Sequence, residues 1–198
     1  MSSRARLRGL AVGLACLVLG ACASPRPTLE VPRSLARVEA GPEASRLLEL
    51  VGHLEPLVLE ALGTAWPRPF VVRVAPVDGG RAETRLVDRR VSIDPGALDE
   101  GLPMTVAHEL VHVHASGRWD GLPRGVEEGL AYWIAGLATG EHVGPYSGPE
   151  PDAGALLEAL TATDEQYRAL EPARRGAVHQ AAAWLAAGLV PHDRLVLP

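Results

Sequence analysis

His108-Glu109-Leu110-Val111-His112 constrains this chain more than any other stretch. On a helix, residues four apart share a face, so both imidazoles can converge on one metal ion. Glu109 then lies beside them, placed to take a proton from a water at that ion. The flanking residues predict such a helix. Asp99 and Glu100 supply acidic residues at a first turn, Pro103 suits the first helical position, and Gly117 marks a stop. The helix is expected over residues 103–116.

Two histidines do not complete a site, because a catalytic zinc takes three protein ligands and keeps a fourth position for water. A third histidine in the pattern H-E-x-x-H-x-x-G-x-x-H would fall at Arg118, with the glycine at Ala115, so that arrangement is absent. Asp120 is the one aspartate soon after the helix, in surroundings unlike an aspartate-ligand site. The only cysteines are Cys16 and Cys22, far upstream. A glutamate on the following helix remains. Pro123 opens that helix, and Val126, Leu130, Trp133, Ile134 and Leu137 carry its apolar period over residues 123–138. His112 to Gly117 and Pro123 to Glu128 are legs of five residues each, or about 7–8 Å apiece at the helical rise. A short loop favours an antiparallel return, so either Glu127 or Glu128 comes back level with His112.

The stretch Leu122-Pro123-Arg124-Gly125-Val126-Glu127-Glu128-Gly129-Leu130-Ala131 resembles the gluzincin pattern W-[LV]-x-E-G-x-A, whose glutamate is the third ligand. The likeness runs over residues 105–135 and is to the small bacterial gluzincin domains of the peptidase MA clan. It departs at Gly125, where the family has Trp. It departs again at Tyr132, where thermolysin-like members have an Asp supporting the first histidine. The resemblance implies Glu128 as the ligand, one Zn2+ per chain held by His108, His112 and Glu128, and Glu109 as general base in peptide hydrolysis. It implies a Tyr or His on a downstream helix as oxyanion donor; His179 is the first candidate, followed by Tyr146 and Tyr167. It also implies that a peptide or protein substrate adds itself to an edge strand, expected here from residues 85–93.

The start of the chain has a separate logic. Arg4, Arg6 and Arg8 precede an uncharged apolar run over residues 10–19, too short for a permanent span and suited to a secretory signal. Leu19-Gly20-Ala21-Cys22 resembles the bacterial lipobox, which implies cleavage after residue 21, lipidation at Cys22, and a membrane partner through that lipid. The chain is therefore read as residues 1–21 signal peptide, 22–42 lipidated terminus and proline-rich tether, and 43–198 metallopeptidase-like domain. The expected location is the cell envelope, on the periplasmic or extracellular face. Ala23 is not the Asp that retains many Gram-negative lipoproteins at the inner membrane, which favours the outer membrane. Net charge is −5 with all 19 basic residues arginine, and nothing in that balance points to nucleic acid.

The remaining pattern predicts an α+β fold: a small, mostly antiparallel sheet with the metal-binding helix pair and C-terminal helices. Residues 43–62 have helical periodicity, with Pro56 a kink or break. Residues 69–75 read as a strand, and residues 83–93 as two short strands or a hairpin. Residues 155–160, 165–169 and 175–188 read as helices, and 139–154 as a surface loop. His114 is expected to point away from the metal, to the surface or to a supporting role. Trp119 and Trp133 are expected in packing, and His53, His142 and His192 have no assigned role. Two other functions fit the same residues: a non-catalytic zinc-binding envelope lipoprotein, and a zinc amidase acting on cell-wall peptides.

Overall fold

The computed structural model describes residues 34–39, 41–63, 69–78, 80–141 and 150–189. Cys22, Tyr146, His142 and His192 lie outside them. Among the described residues, four strands and six α-helices follow in the order β1 (Ala36–Val38), α1 (Ala44–Ala61), β2 (Phe70–Val74), β3 (Ala82–Arg85), β4 (Arg90–Ile93), α2 (Leu102–Ala115), α3 (Arg124–Thr139), α4 (Ala153–Thr161), α5 (Asp164–Ala169) and α6 (Pro172–Leu189). A 3₁₀ turn over Pro95–Ala97 leads from the sheet into α2. The fold is mixed α and β, as expected.

The sheet differs from expectation. Its order is β1-β2-β4-β3, with β1–β2 and β2–β4 parallel and only β3–β4 antiparallel. The chain leaves β2, skips one position, descends as β3 and returns as β4 in the gap. A hairpin was legible, but its insertion beside β2 depends on that skipped position. The edge beside β4 is therefore Ala82–Arg85, whereas β4, which lies within the expected edge, is interior. β1 falls inside the segment read as tether; three residues are too few to show a period.

One face of the sheet packs on α1 and α2. Phe70, Val72, Val91 and Ile93 join Leu47, Val51, Leu54 and Val58 of α1 and Val106, Leu110 and Val113 of α2 in one buried core. Helix α1 runs through Pro56 without a break. The backbone bond that Pro56 cannot make would have gone to Gly52, which is exposed to solvent. Helix α3 lies between α2 and the C-terminal helices, where Val126, Leu130 and Trp133 meet Ala186 and Ala187 of α6. Trp133 is buried and Trp119 partly buried against the core, as their packing role requires.

His114 is not at the surface. It is buried between α2 and α1, its Nε2 3.0 Å from Glu55 Oε1, with the edge of Phe70 against its ring. It points away from His112, as helical phase demands, and its far side meets a carboxylate that no local pattern reveals. His53 is exposed on α1.

Candidate metal centre

Helices α2 and α3 bring three predicted groups together. His108 Nε2 lies 3.0 Å from Glu128 Oε2 and 3.1 Å from His112 Nε2, and His112 Nε2 is 3.6 Å from Glu128 Oε2. Among the described residues, His108, His112 and Glu128 form the one group able to hold a metal ion, with ligand atoms all within 4.8 Å of one another. The helix pair does this by local means. His108 and His112 are one turn apart on α2, and the turn through residues 116–123 returns α3 antiparallel at the right height. His112 and Glu128 are buried, and His108 is partly open.

Glu127, the rival for third ligand, has another partner. Its Oε1 accepts from His112 Nδ1 at 3.2 Å, on the ring edge opposite the shared cluster. Such a carboxylate fixes ring orientation and raises ligand basicity. Here it is the second histidine of the motif, His112, that has this support. Arg124 joins both glutamates: one guanidinium nitrogen is 2.9 Å from Glu127 Oε2 and another 2.5 Å from Glu128 Oε1. Thus Glu128 turns one oxygen to the histidines and the other to Arg124. A cation in the first turn of a helix opposes the dipole, so Arg124 owes its place to these carboxylates. We expect Glu127→Gln to weaken metal binding roughly 10–100-fold with the fold intact, measured by competition with a chelator.

The charges of the cluster's own side chains carry a distinct electrostatic signature. Burial works against a charged His112, but hydrogen bonds to Glu127 and Glu128 outweigh it and raise the ring from 6.5 to about 10. Burial likewise opposes a charged Glu128, and the hydrogen bonds from His108 and His112 prevail, holding its carboxyl well below 4.5. Glu127 is also lowered: burial opposes its charge, while His112 and Arg124 overcome that. The raised His112 adds stability below pH 6.5 that is lost as pH climbs through about 10. The lowered glutamates add stability above pH 4.5 that is lost on acidification. The urea midpoint of the chelator-treated protein should therefore plateau between pH 4.5 and 6.5 and fall on both sides.

Three further groups ring the cluster. Glu109 lies on α2, largely buried, and Thr84 Oγ1 of the edge strand donates to its Oε2 at 2.5 Å. His179 of α6 comes within 3.9 Å of Glu128 Oε2. Tyr167 of α5 stacks on His179, with centroids 5.6 Å apart and planes at 13°, and its hydroxyl reaches His179 Nε2. Burial is the main cause that pushes His179 below its ordinary 6.5, which keeps the ring neutral at pH 7. His179 and Tyr167 are thus both brought to the cluster as one joined pair.

Thr84, Arg124 and the supporting part of Glu127 were not picked out in the sequence. For Arg124 a signal existed: it stands three and four residues before the two glutamates, on their helix face. Gly125 also has its reason. A Cβ there would lie 2.8 Å from Ala159 Cα of α4, so the Trp of the gluzincin pattern has no room. Comparisons with protein-family models, with curated proteins and with solved structures find no match to this chain.

Proposed function

We propose that this chain is a zinc-dependent metallopeptidase, held to the cell envelope by lipid on Cys22. The observation that carries the metal is the size of the triangle. Bonds of about 2.0–2.1 Å to N and O ligands in a tetrahedron space neighbouring ligands about 3.3 Å apart. The three sides here are 3.0, 3.1 and 3.6 Å. Two imidazoles and one carboxylate are a catalytic donor set, leaving one position open. Bound there, zinc would supply Lewis-acid activation of a water molecule and of the scissile carbonyl.

The protein's own groups do the rest. Glu109 takes the proton of the attacking water at Oε1 or Oε2 and passes it to the leaving amine. Thr84 holds that carboxylate by one oxygen, fixing its direction. The neutral His179 and the Tyr167 hydroxyl offer a hydrogen-bond donor beside the cluster, suited to the oxyanion of the tetrahedral stage. The free edge of β3, which carries Thr84, is the place where an extended peptide would add a strand. Metal analysis of the purified chain, together with cleavage of an internally quenched peptide library, tests the reading. One zinc per chain, with chelator-sensitive cleavage, supports it. Absence of zinc, or zinc with no turnover on any peptide, overturns it.

A further inference from the structure

The strand registers align Arg37, Val71, Arg90 and Arg85 in one row across the sheet. That row closes the end of the sheet where β1, β2 and β4 begin and β3 finishes. Beyond it projects the β3–β4 turn, residues 86–89, in which Val87 is 100% exposed and Leu86 40% exposed. Leu35, 48% exposed, lies beyond the same end, just before β1. Among the described residues, three of the six exposed large hydrophobic residues thus gather at one end of the molecule.

Charge at this end runs against that of the whole chain. Among the described residues, Asp88 is the carboxylate paired with the arginines Arg37, Arg85, Arg89 and Arg90 gathered here, at 3.3 Å from Arg90 and 4.0 Å from Arg85. The protein as a whole carries −5. Ser34 and Leu35, the first described residues, lie at this end, because β1 starts at Ala36. Folding gains nothing from a fully exposed valine at a hairpin tip, where turn residues are ordinarily polar or glycine.

We propose that this end of the sheet is a membrane-contact surface: Leu86 and Val87 enter an anionic bilayer's interface while Arg37, Arg85, Arg89 and Arg90 meet its headgroups. Guanidiniums around an apolar point are the pairing that interfacial binding uses. The inference does not depend on the metal centre.

The test uses the full chain with Cys16→Ser and Cys22→Ser, and Val87→Cys labelled with nitrobenzoxadiazole. Leu157→Cys on α4 carries the label in a second preparation. Vesicles of phosphatidylethanolamine with phosphatidylglycerol should brighten and blue-shift the label at 87, and doxyl lipid should quench it. The label at 157 should stay aqueous, and phosphatidylcholine vesicles should give a much weaker signal at 87. Each of Arg37→Gln, Arg85→Gln and Arg90→Gln should raise the lipid needed for half-signal about fivefold. A label at 87 that stays aqueous on vesicle-bound chain overturns the proposal. So does one indifferent to the arginine changes. A signal that appears without vesicles and grows with protein concentration also overturns it, in favour of a second copy of the chain.

Discussion

Glu109→Gln should lower kcat by roughly 10²–10⁴, the contribution typical of a positioned general base, and leave zinc stoichiometry unchanged. The substitution keeps shape and can still receive the Thr84 hydroxyl on its amide oxygen, so the fold should survive. What it loses is the capacity to accept a proton. Ligand changes behave differently: His108→Ala or Glu128→Ala should lose metal and activity together. Steady-state cleavage of a quenched peptide, with metal analysis of the same preparations, separates the two. A Glu109→Gln protein as active as the parent would remove Glu109 from the mechanism while leaving the metal site standing.

Gly129→Ala should be strongly destabilising. A Cβ at 129 would lie 2.1 Å from Ala182 Cβ, 2.7 Å from Ala182 C and 2.8 Å from Ala183 N. Two of these contacts are to backbone, so no side chain can rotate away, and α3 and α6 must part. Overpacking of this kind costs about 1–3 kcal/mol or more. In a chain of this length that lowers Tm by about 2–12 °C, with the upper part of the range expected here. Gly176→Ala is the control: it lies on α6 with nothing within 4 Å of the new methyl. Better helix propensity should leave its Tm equal or slightly raised. Thermal unfolding followed by circular dichroism reads both. Because Gly129 follows Glu128 and Ala182 lies one turn beyond His179, parting the helices also moves His179 away from the ligand carboxylate. Equal Tm values for the two variants would mean that α3 and α6 are not in close contact.

The legible parts of this protein are the local ones. The bounds of α2 and α3 follow proline, glycine and apolar period to within a residue or two. His108 and His112 share a face by helical spacing, and leg length brings Glu127 and Glu128 to their level. Helical phase left those two open, and the gluzincin likeness favoured Glu128. In the structure each has a place, one on His112 Nδ1 and the other on the shared cluster.

What only the tertiary structure decided are contacts between segments far apart in the chain. Thr84 meets Glu109 across 25 positions, because β3 takes the sheet edge beside α2. His179 reaches Glu128 because the glycine at 129 lets α6 approach α3. The Glu55–His114 pair and the insertion of β4 beside β2 have the same origin. Hydrogen bonds within a helix fix the spacing of near neighbours whatever surrounds them. The partner of a residue on another element is set by which surfaces pack, a choice made by the whole core and carried by no single stretch of sequence.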